Sequence, residues 1–265
     1  MCVFERRKHA FLSLLDREAL LFHNARVETP TMEKAMSLEV IWYGHANVML
    51  RENGVSVLID PFFEGNPFAP DWRSIPKPDV IAVTHDHGDH IGQAMDIARE
   101  TGAKLVCIAD LADFFREQGL AENVANYGIG GNIDGTLEVC GAKFTFTQAF
   151  HSTRHGSPVG FVIEMPGGHT VYHAGDTGLF GDMALIAERF DLDLAFLPAG
   201  GVFTMDGPLA AKAAALLKAK AAMPIHYATF PILAQDAEAF VQALKEKAPE
   251  CRAFVMAPNS SAVLD

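Results

Sequence analysis

The chain has 265 residues, 49% of them hydrophobic and 20% charged, with a formal net charge of −12. That length and composition suit one large globular domain with a sizeable core. Basic residues cluster only at Arg6, Arg7 and Lys8, so the surface lacks the phosphate-neutralising tract of a nucleic-acid binder, and no nucleic-acid partner is expected.

The N-terminal stretch "AFLSLLDREALLF" is interrupted by Asp16, Arg17 and Glu18, so it reads as neither a signal peptide nor a membrane span, and no membrane partner is expected. Leu12, Leu15, Ala19 and Phe22 fall near helical spacing. Residues 1–36 are expected to be an extension, either a peripheral helix or a stretch ahead of a natural start at Met36. Residues 37–265 are expected to form a single domain. A strand is predicted at 38–43 and another at 55–60, after the turn signal "ENG". "DVIAVT" (79–84) is a third, followed by a helix at 91–100 and a strand at 103–108. "LADFFREQG" predicts a helix ended by Gly119. Hairpins are predicted over 136–150 and 159–175. Then come helix "LFGDMALIAERF", strand "LDLAFLPAG", helix "PLAAKAAALLKAK", strand "AAMPIHY", helix "AQDAEAFVQALKEK" and strand "RAFVMA". Strand pairs first and strand–helix alternation later call for two sheets with helices outside, an α/β architecture.

Cys2, Cys107, Cys140 and Cys251 form no C-x-x-C pair, which argues against a cysteine zinc site, and a reducing cytoplasm is the expected compartment. The densest chemistry lies in "THDHGDH" (84–90), directly after an apolar strand. His85 and His87 are two apart, and in an extended segment such residues face the same side and can grip one ion. Gly88 allows a sharp change of direction, and Asp89 and His90 follow at a helix start. Further candidates end later strands: His151, Asp176 and His226. Taken singly, each reads as an ordinary strand-end or turn residue; their number is what points to metal. Asp60 reads either as a turn former before Pro61 or as a carboxylate orienting a ligand histidine from behind. His155 reads as a loop residue and His173 as a strand residue. In "PFFEGNPFAPDW", Phe62, Phe63, Phe68 and Trp72 either wall an active site or close the core, the latter being the expectation.

"THDHGDH", "AFHST", "HAGDTG" and "PIHY", in this order, resemble the metallo-β-lactamase superfamily. "YGHANVML", "LIDPFF", "HAGDTGLFGDM" and the "FTM" before an Ala-rich helix are similar to its small group of uncharacterised metal-dependent hydrolases, over about residues 38–258. Two places depart from that pattern: Ala46 stands where Ser is usual, and no polar residue precedes Phe203. The resemblance implies a four-layer αββα sandwich with the site at one edge of its two sheets. It implies two divalent metal ions: His85, His87 and His151 on the first, Asp89, His90 and His226 on the second, and Asp176 bridging them. Zinc is expected first and manganese second, with iron and nickel also compatible with such ligands. The resemblance favours the orienting role for Asp60. Asp89 and His45 are the expected catalytic residues, His45 by hydrogen-bonding substrate or a transition-state oxygen.

The expected activity is hydrolysis of an ester, lactone, amide or phosphoester bond of a small-molecule substrate, by a hydroxide shared between two ions. Metal binding needs neutral imidazoles, so activity is expected to fall below about pH 6. A redox di-iron protein on the same fold and a non-catalytic metal-binding protein are the alternatives. In the redox lineage a Glu commonly stands at the position of His87, so that histidine favours hydrolysis. A homo-oligomer is the expected assembly.

Overall fold

The computed structural model describes residues 37–264. The extension assigned to 1–36, with its helical spacing, lies outside the described residues. β1 (Leu38–Trp42) buries every second residue and so lays one face on the core. β2 (Val48–Glu52) and β3 (Val55–Ile59) form a hairpin through Asn53 and Gly54, both left-handed, the geometry that an Asn-Gly turn favours. A 3-10 turn (Trp72–Ser74) leads to β4 (Val80–Ala82), α1 (Gly88–Ile91), α2 (Ala94–Thr101), β5 (Lys104–Val106), α3 (Ala109–Glu117) and the single turn α4 (Ala125–Gly128). β6 (Thr136–Val139), β7 (Ala142–Gln148), β8 (Val159–Glu164) and β9 (Thr170–His173) run as successive antiparallel neighbours. Then come α5 (Met183–Arg189), β10 (Leu194–Pro198), α6 (Gly207–Leu217), β11 (Ala221–Ile225), α7 (Glu238–Lys247), β12 (Arg252–Ala253) and β13 (Ser260–Leu264).

The strands form two sheets, ordered β13-β1-β2-β3-β4-β5 and β12-β11-β10-β9-β8-β7-β6. The main core lies between them: Val40, Leu58 and Ile81 of the first pack in one cluster with Phe144, Phe161 and Phe196 of the second. Ile97 of α2 and Leu111 and Phe115 of α3 join that cluster from the first sheet's side. A second cluster lies on the other face of the second sheet, where Tyr172, Ala195 and Leu197 meet α5, α6 and α7. The result is the αββα sandwich. Asp206 caps α6 by accepting from the Leu209 N–H, with Pro208 in the first turn, a standard helix start. Among the described residues, no helix is long and apolar enough to cross a membrane.

Strand direction sets where the site forms. β1 is antiparallel to β2 and β2 to β3, and β4 runs parallel to β3. β1, β3 and β4 therefore end at one edge of the first sheet. In the second sheet β9, β10 and β11 are parallel, and β7 shares their direction because two antiparallel steps separate it from β9. Loops carrying histidines and aspartates leave the C-terminal ends of these strands.

The helix expected at 91–100 is divided by Gly92, whose φ is 38°. A Cβ there would sit 2.2 Å from the Pro61 carbonyl oxygen, so no other residue fits. The unusual backbone thus falls at Gly92 rather than Gly88, whose φ is not positive. The strand expected at 252–257 shortens to β12. Of the aromatic loop, Phe63 and Trp72 join the core as expected, while Phe62 stands edge-on to His45.

Candidate metal centre

Asp60 follows β3, residues 84–90 follow β4, His151 follows β7, Asp176 follows β9 and His226 follows β11. The seven candidate ligands and Asp60 thus come together from both sheets. His85 Nε2 lies 3.0 Å from His87 Nδ1, and His151 Nε2 lies 3.3 Å from the same atom. Asp176 Oδ2 lies 3.1 Å from His226 Nε2, 3.3 Å from His90 Nε2 and 3.6 Å from His151 Nε2. Asp89 Oδ2 lies 4.0 Å from His226 Nε2. Ligand atoms of His85, His87 and His151 lie within 4.8 Å of one another, as do those of His45, Asp89, His90 and His226, and those of His85, His90 and Asp176. Asp60 and His226 both hold left-handed backbone, φ 45° and 58°, a strain that only firm surroundings maintain.

Hydrogen bonds fix which nitrogens face inward. Asp60 accepts from the Thr84 N–H (2.8 Å), the Thr84 hydroxyl (2.7 Å) and His90 Nδ1 (2.8 Å). Because the Thr84 hydroxyl donates to Asp60, it accepts from His85 Nδ1 at 3.0 Å, and His85 Nε2 presents its lone pair to the cluster. His90 likewise spends Nδ1 on Asp60, and its Nε2 is buried without a hydrogen-bond partner. Asp176 Oδ1 is buried and unpartnered as well.

The charges agree with a cation site. Burial pushes the His85 pKa down to about 3 and lowers that of His151, so both rings are neutral. Burial pushes the His90 pKa down as well, but Asp176 and Asp60 outweigh it and hold that pKa well above the ordinary value. Burial opposes the Asp176 carboxylate too, yet His90 and His226 keep it well below the usual range. Lone pairs and carboxylate oxygens facing each other in a buried pocket are costly unless a cation joins them. In the bare protein a proton on His90 serves; a divalent ion fits the same place. The donor set, imidazole nitrogen and carboxylate oxygen, suits such an ion.

A UPF0173 metal-dependent hydrolase of Nitratidesulfovibrio vulgaris is 49% identical over 231 residues, covering 87% of this chain and 97% of that protein. This chain belongs to the UPF0173 metal-dependent hydrolases. The family member from Methanopyrus kandleri is 42% identical over 84% of this chain and 99% of its own. Residues 56–227 match the model of the beta-lactamase superfamily domain. The solved structure of a metallo hydrolase from the hyperthermophilic archaeon Ignicoccus hospitalis is 34% identical and covers 86% of this chain and 99% of its own, with a TM-score of 0.78. The chain is thus a metal-dependent hydrolase with the metallo-β-lactamase fold.

Within this UPF0173 hydrolase, His45 is not placed for the substrate contact expected of it. Its ring is 0% exposed. Nδ1 lies 3.0 Å from the Thr229 hydroxyl and Nε2 lies 3.2 Å from Asp89 Oδ2, so both nitrogens are engaged within the protein. Its carbonyl accepts from the His226 N–H and Trp42 Nε1, tying the ends of β1 and β11 together. Burial lowers the His45 pKa to about 4. Three contributing residues were not singled out in the sequence: Thr84, Thr229 and Asp86. Thr84 and Asp86 stand inside the motif, where position was a signal; Thr229 carries none. His155 leaves the plain loop role, donating Nδ1–H to Asp86 at 2.6 Å. His173 is a buried β9 residue with Nε2 donating to the Ala46 carbonyl at 3.0 Å, as its strand reading expects.

Proposed function

We propose that the chain holds two divalent ions, zinc before manganese, and hydrolyses an uncharged carboxylic ester, lactone or amide that carries an apolar group. His85, His87 and His151 would hold one ion, Asp89, His90 and His226 the other, with Asp176 between them. The observation that carries this reading is the convergence of inward lone pairs with the unpartnered Nε2 of His90 and Oδ1 of Asp176. Bound divalent ions supply Lewis acidity toward a carbonyl oxygen and a water acidic enough to attack near neutral pH.

The chain's own residues do the rest. Asp60 fixes the His90 ring and, through Thr84, the His85 ring; such support behind ligands sets their orientation. Asp89 is 27% exposed, so its carboxylate stands at the solvent side of the cluster, where His45 steadies it. Phe62 and Phe230 set their edges against the His45 ring, with centroids at 5.6 and 5.5 Å, and exclude water behind it.

Substrate class is supported by the loops around the ligands. Phe150, Val202, Phe203 and Ile232 are all more than half exposed and lie on loops leaving β7, β10 and β11. These loops are joined: Phe150 N–H donates to the Thr177 hydroxyl, Met205 N–H to the Thr177 carbonyl, and Ala234 N–H to the Gly200 carbonyl. Segments 44–47, 60–72, 84–93, 174–182, 199–206 and 226–236 contain no Lys or Arg, and the His151 segment, 149–158, carries a single one, Arg154. Beyond the ions themselves a phosphoester would find one side-chain cation, the exposed Arg154, whereas an apolar acyl group finds matching surface.

The test is a panel of p-nitrophenyl esters of increasing acyl length, lactones, amides, a β-lactam and a phosphodiester, run on zinc- and manganese-loaded protein. Ester kcat/KM should rise by up to about fourfold per added methylene, at about 0.8 kcal/mol each when fully buried. All turnover should vanish with a chelator and return with metal. Chelator-resistant turnover, or a phosphodiester preferred over every ester, contradicts the reading.

A further inference from the structure

Asp86 stands between His85 and His87, and in extended backbone its side chain leaves on the side opposite theirs. It does not join the imidazole cluster. Its carboxylate turns to the segment following His151. Oδ1 accepts from the Thr153 hydroxyl at 2.7 Å and the Arg154 N–H at 3.0 Å. Oδ2 accepts from the His155 N–H at 3.1 Å and from His155 Nδ1–H at 2.6 Å. Four donors fill the acceptor capacity of one carboxylate, and bonds to an ionised acceptor are stronger than neutral ones. The side chain is 4% exposed, so water competes little for those oxygens.

The far end of this strap is anchored. The His155 ring stacks on Phe114 of α3, with centroids 4.8 Å apart and planes at 26°. The loop ends at Val159, the first residue of β8 in the second sheet, whose N–H donates to the Thr84 carbonyl after β4 at 3.1 Å. His85 and His87 therefore belong to a loop of the first sheet, and His151 to a loop of the second. Asp86 joins the two between them, two residues from where His151 enters the cluster. Its oxygens are occupied by the strap, so it acts without touching an ion or substrate.

We propose that Asp86 is a positioning residue that fastens the His151 loop to the His85–His87 segment, so that three imidazoles from two sheets stand in coordinating geometry before an ion arrives. The proposal rests on the reading of His85, His87 and His151 as one ion site. It predicts a site-selective effect. Loosening the strap frees His151 from its partners, while Asp89, His90 and His226 keep their own supports in Asp60 and His45.

The experiment titrates metal-free wild type, Asp86→Asn, Asp86→Ala and Thr153→Val with cobalt(II), following the visible d–d absorption of each binding event. Asn keeps the size of the side chain but turns an NH₂ toward donors. Val removes a single donor and keeps the carboxylate, which gives a milder variant should the Asp86 variants fold poorly. In the Asp86 variants one of the two binding events should weaken by roughly 10–100-fold, the range for groups that support ligands, with an altered band shape. The other event should stay within about threefold. Thr153→Val should move the same event in the same direction by less. Two wild-type binding events beside unchanged affinities and band shapes in the variants overturn the proposal alone, leaving Asp86 a loop fastener. Equal weakening of both events overturns it too, as general loosening. Wild type that takes up no cobalt overturns the ion-site reading, and the proposal with it.

Discussion

His151 or His226 alone is an ordinary histidine at the end of a strand; what each does is set by the atoms its ring faces. His90 makes this plain. Its Nδ1 is spent on Asp60, and its Nε2 is buried 3.3 Å from Asp176. Burial favours the neutral ring, but Asp176 and Asp60 raise its pKa well above 6.5, so at pH 7 the bare protein carries a proton there. An ion that takes Nε2 must displace that proton. Zinc binding at pH 7 should therefore release a proton, measured by calorimetry in buffers of different ionisation enthalpy. Release should shrink as pH rises through the folded-state pKa of His90, because the ring is then already neutral. Release that does not change with pH contradicts this assignment. The candidate ligands were legible in the sequence because they crowd into one motif and the ends of later strands, and the fold brings them together. The part played by His45 was not. A histidine after a glycine says nothing about Thr229, which lies 184 positions away in the chain, and only folding brings that hydroxyl, the His45 ring and the carboxylate of Asp89 into line.

At the level of elements, periodicity served where an apolar pattern dictates structure and failed where tertiary contacts do. β4, α6 and α7 fall close to their predicted ranges, since β4 and α6 carry apolar runs and α7 buries one face, with Phe240, Ala243 and Leu244 at helical spacing. β2 and β13 were not singled out. β13 buries only Leu264 fully and is a strand because it pairs antiparallel with β1, a partner more than 200 residues earlier. The break between α1 and α2 was also hidden, because nothing local reveals that the Pro61 carbonyl presses on Gly92. That contact turns α1 so that Asp89 and His90 sit on the cluster. Gly92→Ala combines a left-handed backbone with a clash and should cost about 2–4 kcal/mol of folding free energy, read by urea denaturation of the metal-free protein. A loss below about 0.5 kcal/mol, the range of neutral surface changes, would show that the backbone there relaxes freely.

For the molecule as a whole, two sheets meet at one edge, and neither sheet alone holds the centre. The first supplies Asp60, His85, His87, Asp89 and His90; the second supplies His151, Asp176 and His226. With that division, an ion held there would fasten the layers together, and an ion bound to the folded state alone would stabilise it by mass action. Fold and family were open to sequence reading because the motifs run in order along almost the whole described chain. Substrate was not, because the residues on which the proposed apolar preference rests, Phe150, Val202, Phe203 and Ile232, are scattered in sequence and lie on neighbouring loops only in the fold. The central claim is that distant histidines and aspartates hold a pair of ions. Anomalous diffraction at the zinc edge, on crystals of the full chain grown with zinc, measures it directly. The account predicts two peaks about 3.5–4 Å apart, one beside His85, His87 and His151 and one beside Asp89, His90 and His226; a single peak, or none within coordinating distance of these residues, contradicts it.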